Sequence, residues 1–311
     1  VPKRRLAASR KLRPVAVGCA LLVALAGCAG SGARALDADD RPVVLATFTV
    51  IADMASVVAG DAVRVEALIK PGAEIHGYEP TPSDLVRASN ADLILDNGMG
   101  LEGWFEQFLA SIDVPHAELT AGVDPVAIAT GHYEGEPNPH AWMSPVASEA
   151  YVHAIVAALS ELAPANAGAF EANGREYIGE LRAITANLRA SVAALPPASR
   201  VLVTCEGAFS YLARDAGLEE AYLWAVNSDN EGTPQQIAAT VRLVEQKAVP
   251  TVFCESTVND AVQRQLARQT GAAFGGPLYV DSLSSADGPV PTHLDLLRHD
   301  VDVILDGLSD G

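Results

Sequence analysis

From Val43 onward the chain alternates short β-rich runs with longer helical ones, and this alternation limits the fold more than any other feature. VVLATFTV (43 to 50) precedes IADMASVVAG, VRVEALI (63 to 69) ends before Pro71, and DLILDNG (92 to 98) leads into LEGWFEQFLASI. Strand, helix and strand at these lengths predict a parallel sheet with both faces covered. The pattern resumes with VLVTC (201 to 205), a helix over about 207 to 216, AYLWAV, and a helix from Pro234 to Lys247. It continues through VPTVFC, a helix over 258 to 270, GAAFGGPLYVDSL and a closing helix over about 291 to 307. No strict sequence repeat accompanies this, so two similar α/β halves are expected rather than an array. Between them, residues 166 to 194 carry Tyr177, Leu181, Ile184 and Leu188 at helical spacing and stop at Pro196 and Pro197. One face of that helix is expected to be buried, and the helix to act as a rigid connector. The expected fold class is therefore α/β with two lobes, each a parallel sheet between helices. Residues 43–163 would form the first lobe, 164–196 the linking helix and 197–311 the second lobe.

In parallel sheets ligands gather beyond the carboxyl ends of the strands. Four stretches of this chain offer metal-ligand side chains in such positions. GAEIHGYEPTPSD (72 to 84) sets His76 in a proline-fenced loop beside acidic groups, and PNPHAWMSP sets His140 among prolines with Trp142 and Met143 nearby. Proline fixes φ, so ordering such loops costs little entropy. TCEGAF and YVDSL put Glu206 and Asp281 just past strand-like runs. Two imidazoles and two carboxylates are the makings of a divalent-metal site, and two negative charges would neutralise the ion. Each residue also has a plainer reading: His76 as an exposed loop histidine, His140 as a helix cap, Glu206 as a first-turn glutamate, Asp281 as an N-cap or turn former. His132 is expected to be exposed. His116, His153, His293 and His299 fit helix or loop surfaces, and Asp229 and Glu231 a solvated loop.

The strings YEPTPSD, PHAWMSP, EGAF, NEGTP, VPTVFCES and DSL, in this order from about residue 43 to the C-terminus, resemble the metal-binding lipoproteins of bacterial manganese, iron and zinc ABC importers. That resemblance implies two lobes joined by one long helix, with His76, His140, Glu206 and Asp281 holding the cargo ion. Zinc-specific relatives generally carry a histidine where Glu206 stands, whereas manganese and iron relatives carry a glutamate. Mn²⁺ is the expected cargo, Fe²⁺ the next, with a zinc carrier of the same family as the alternative. Thiolate is missing from the set, which removes one route to zinc preference. The implied partners are a membrane permease and its cytoplasmic ATPase, and the carrier is expected to be monomeric.

The first residues fit this setting. Lys3, Arg4, Arg5, Arg10, Lys11 and Arg13 precede the apolar run VAVGCALLVALAGC, which is short for a membrane span of about 20 residues and reads as a cleaved export signal over 1–27. Leu25 to Cys28 look like a lipobox, which implies lipid on Cys28 and a membrane-anchored, extracytoplasmic protein. Residues 28–42 are small and polar and suit a flexible tether. Removing 1–27 leaves 15 basic against 39 acidic residues, a balance that repels nucleic acid. Cys205 and Cys254 then remain, each directly before a glutamate. An oxidising location and an even count favour a disulfide that would brace the peptide of Glu206, the alternative being two buried thiols.

Among other functions, a metallohydrolase would also use a mixed His and carboxylate site. The sequence has no HExxH, and no catalytic residues are assigned. A surface adhesin would suit the anchor but would leave the four ligand loops unexplained.

Overall fold

The two central strands of the first half read VVLA and LILD, apolar without alternation, which is the pattern of strands buried on both faces. The computed structural model describes residues 40–226 and 232–309. The signal segment 1–27, Cys28, most of the tether, Asp229 and Glu231 lie outside the described residues. Arg41 and Pro42, expected in the tether, are already tied to the folded body: Arg41 donates to the Asp61 carbonyl, and the Pro42 carbonyl accepts from Arg64 N.

In chain order the first half runs β1 (Val43–Ala46), α1 (Thr49–Ala59), β2 (Arg64–Ala67), α2 (Pro82–Ser89), β3 (Leu93–Asp96), α3 (Gly103–Leu109) and β4 (His116–Glu118). The four strands form one parallel sheet in the order β2-β1-β3-β4. α2 begins inside the stretch 72 to 84 read from sequence as a loop, at Pro82. Thr81 caps it by accepting from Asp84 N, Asp84 returns the bond to the Thr81 N–H, and Pro82 supplies a preset φ.

Two long helices follow, α4 (Pro145–Leu162) and α5 (Ala167–Ala194). The expected buried stripe of α5 is present: Phe170, Gly174, Tyr177, Ile178, Leu181, Ile184, Leu188 and Val192. It packs on α4 and α1. At Gly174 a Cβ would stand 2.6 Å from Val156 Cγ2 of α4, so only glycine lets the two helices approach this closely.

The second half contains β5 (Val201–Glu206), α6 (Ser210–Ala216), β6 (Glu219–Trp224), α7 (Pro234–Lys247), β7 (Thr251–Glu255), α8 (Ala261–Thr270), β8 (Ala273–Leu278) and α9 (His293–Ser309). β5 pairs with β6 and β7 with β8, both in parallel. The buried Gln263 of α8 spans from β7 to β5, donating to the carbonyls of Phe253 at 2.8 Å and Val203 at 3.4 Å. Cys205 and Cys254 are joined as a disulfide between β5 and β7, their Cα atoms 4.9 Å apart. α5 also packs on α6 and α9, and one apolar core runs from Val44 and Phe48 through α4 and α5 to Leu308. From Arg41 onward the chain is accordingly a single compact unit.

Candidate metal centre

The loop after β2 is shaped by Glu74, whose Oε1 accepts the backbone N–H of Ile75 at 3.0 Å and of His76 at 3.1 Å. Gly72, with φ of 80°, donates its N–H to Ser282 Oγ at 2.6 Å, so this loop is tied directly to the one carrying Asp281.

The loop before α4 is fastened by its carbonyls. Tyr211 Oη donates to Asn138 O at 2.7 Å and Asn97 Nδ2 to Pro139 O at 3.0 Å, while Ser148 Oγ and His293 Nε2 reach Trp142 O at 3.0 and 2.9 Å. The Trp142 indole N–H donates to Val280 O at 3.0 Å, which joins this loop to the residue before Asp281. Ser144, not His140, caps α4. Trp142 and Met143 are fully buried, and the indole packs on the His140 ring with centroids 5.1 Å apart.

Glu206 is the last residue of β5, and α6 begins only at Ser210, so it is not the first-turn glutamate of a helix. A Cβ at Gly207 would meet the Tyr222 ring at 2.9 Å and the Ala225 carbonyl at 3.0 Å; close packing, rather than a special φ, accounts for this glycine. Asp281 follows β8 and is buried, with Thr257 Oγ1 3.5 Å from its Oδ2.

These loops bring His76, His140, Glu206 and Asp281 together, with one ligand atom from each within 4.8 Å of the others. The two Nε2 atoms are 2.9 Å apart. Glu206 Oε1 is 3.4 Å from both, and Asp281 Oδ1 is 3.8 Å from His76 and 4.0 Å from His140. A tetrahedron with bonds of about 2.1 Å has edges of about 3.4 Å, so a small divalent ion fits among these atoms after slight adjustment of the imidazole pair.

Burial pushes His76 down to about 4, against the pull of the Glu206 charge, and His140 down to about 3, against that of Glu74. Both imidazoles are therefore neutral at physiological pH, the form that ligates metals. Burial and then the Glu206 charge hold the Asp281 carboxyl well above the ordinary range, and Glu74 adds to this through its charge and a hydrogen bond. A divalent cation among these groups would reverse that electrostatic cost.

Sequence reasoning missed three supporting residues. Glu74 stands in the string 72 to 84 only as one of the acidic groups beside His76. Asn138 lies in the string PNPHAWMSP and carries no local signal of a role; its Oδ1 stands 2.8 Å from His140 Nδ1 and its Nδ2 donates to Gly207 O. Buried Glu255 accepts the Glu206 N–H at 3.3 and 3.2 Å, and the signal for it was present in the cysteine–glutamate pairs at the ends of β5 and β7. His293 corrects the surface reading: it is fully buried, bonded to Tyr177 Oη at 2.9 Å and to Trp142 O. His132, His116 and His153 are exposed, and His299 is half-buried beside Pro277 O. His76 lines a cavity of about 680 Å³ together with Met99, Leu101, His132 and Glu136.

A family profile described as the periplasmic zinc-uptake complex component A (ZnuA) matches residues 44–307. The iron-binding protein YfeA of Yersinia pestis is 49% identical over 267 residues, 86% of each chain. The manganese ABC transporter substrate-binding lipoprotein PsaA of Streptococcus anginosus is 29% identical over 308 residues, 96% of this chain and 99% of its own length. The Mn-bound structure of a periplasmic metal-binding protein from Candidatus Liberibacter asiaticus superposes with a TM-score of 0.81 at 37% identity, covering 86% of this chain and all of that one.

Proposed function

The chain belongs to the periplasmic zinc-uptake complex component A family, whose members are substrate-binding components of ABC metal transporters rather than enzymes, and from that premise we propose that its cargo is Mn²⁺, with Fe²⁺ second. His76, His140, Glu206 and Asp281 would be the ligands. The observation that carries the reading is the donor set: two neutral imidazoles and two buried carboxylates, with the nearby sulfurs of Cys205 and Cys254 tied up as a disulfide. Such a nitrogen and oxygen set suits Mn²⁺ and Fe²⁺, and two carboxylates neutralise the ion. The name of the relative at 49% identity favours Fe²⁺ as the second reading.

Burial of all four side chains suits a carrier, which surrounds its ion with protein ligands, better than a hydrolase, which keeps a position open for water. The ion would be passed to a membrane permease driven by an ATPase. Residues 43–163 and 197–311 would act as the two lobes around it, with 164–196 as the rod between them. Export and lipid attachment at Cys28 would keep the protein at the outer face of the membrane; among the described residues no helix is long and apolar enough to cross one.

The Irving-Williams order predicts that Zn²⁺ binds at least as tightly, so preference must arise from geometry and release. Metal content after purification without added metal, followed by competitive titration with Mn²⁺, Fe²⁺ and Zn²⁺, tests the proposal. Mn²⁺ or Fe²⁺ that occupies one site and is lost in Glu206→Gln is expected; zinc at full stoichiometry that neither ion displaces would overturn it.

A further inference from the structure

Asn138 is 1% exposed and lies between the loop of His140 and the turn after Glu206. The two ends of its amide are told apart by partners whose roles are fixed. Nδ2 stands 2.6 Å from the carbonyl oxygen of Gly207, which can only accept, and Oδ1 stands 3.0 Å from the backbone N–H of His140, which can only donate. The same Oδ1 lies 2.8 Å from His140 Nδ1. That ring nitrogen must then carry the hydrogen, because an acceptor facing a bare lone pair would be repelled. A neutral ring protonated at Nδ1 leaves Nε2 with an open lone pair. Nε2 is the atom that faces His76, Glu206 and Asp281.

We propose that Asn138 is a positioning residue: it locks His140 in the Nδ1–H tautomer and ties the loop of His140 to the peptide that follows Glu206. This rests on the carrier reading above, since the spacing it fixes is that between two of the proposed ligands. The amide is itself held. Nδ2 also reaches Ser210 Oγ at 3.2 Å, Ser210 donates to Glu220 Oε2 at 2.5 Å, and Glu220 Oε1 accepts the Phe209 N–H at 3.1 Å. Tyr211 of the same helix closes the arrangement by donating to Asn138 O. An ionised aspartate at 138 could still accept from His140, but its second oxygen would face the Gly207 carbonyl, acceptor against acceptor. The amide satisfies both sides without a change of protonation.

The test begins with the metal-free wild-type protein, labelled with ¹⁵N-histidine. Long-range ¹⁵N–¹H spectra at neutral pH should show His140 with a protonated Nδ1 and a pyridine-like Nε2. In Asn138→Leu the His140 signals should move toward the Nε2–H form, and Mn²⁺ affinity should fall about 10- to 100-fold with the circular dichroism spectrum unchanged. An Nε2–H tautomer in the wild type overturns the proposal, whether or not the variant folds. So does an Asn138→Leu protein that keeps both the wild-type tautomer and the wild-type Mn²⁺ affinity. A wild-type protein that binds none of Mn²⁺, Fe²⁺ and Zn²⁺ would instead overturn the carrier reading, a failure that the spectra separate from this one.

Discussion

Replacing His293 by glutamine should remove a defined part of the acid sensitivity of this fold. The imidazole is fully buried among α5, α9 and the His140 loop, donating from Nε2 to Trp142 O and accepting at Nδ1 from Tyr177 Oη. Burial lowers its pKa from 6.5 to about 4, against the opposing effect of the bond to Trp142 O. The folded pKa is depressed, so between these two values the unfolded chain holds a proton that the folded one does not, and stability falls as the pH falls. The full effect is on the order of 3 kcal/mol, of which about 2 kcal/mol develops between about pH 7 and about pH 5. Urea unfolding of the metal-free proteins, with chelator present, measures it. Wild type should lose about 2 kcal/mol more than His293→Gln over that interval, whatever the constant cost of the substitution. Asp53, which accepts the His293 backbone N–H, is present in both proteins, so its own titration largely cancels in the comparison. Equal pH dependence in the two proteins would refute the argument, since it would mean that the buried ring protonates as readily as an exposed one.

Other consequences concern the metal centre and the scaffold. Because the Asp281 carboxyl is held well above its ordinary range, a cation that needs it ionised should displace a proton, so affinity should rise with pH; calorimetry in buffers of different ionisation enthalpy detects this, and no proton release would contradict it. Cys205→Ser with Cys254→Ser opens a loop closed across a separation of 49 residues and should cost roughly 4 kcal/mol in the chain-entropy model, read from the urea midpoint. Gly174→Leu forces a side chain against Val156 and should destabilise the fold by roughly 1–3 kcal/mol without changing the proposed metal ligands, measured as a lowered Tm.

The sequence alone carried the order of the elements, because apolar runs such as VVLA, LILD and VLVTC and the stripe along α5 are local patterns that burial imposes on strands and helices. It also carried the candidacy of His76, His140, Glu206 and Asp281, since proline-fenced loops and strand ends are visible as strings. Tertiary structure decided what those patterns leave open. Nothing local distinguishes His293 from the exposed His153, both on helices; only the packing of α9 against Tyr177 and Trp142 makes the first a buried ring. Likewise Asn138 looks like an ordinary loop asparagine until Gly207, about 70 residues away, fixes the direction of its amide. Hydrogen-bond partners of buried polar groups come from distant parts of the chain, and a sequence read along its own length cannot pair them. Four separated side chains acquire a common chemistry when the loops holding them are tied to one another, by Ser282 to Gly72 and by Trp142 to Val280, and those ties exist only in the folded molecule.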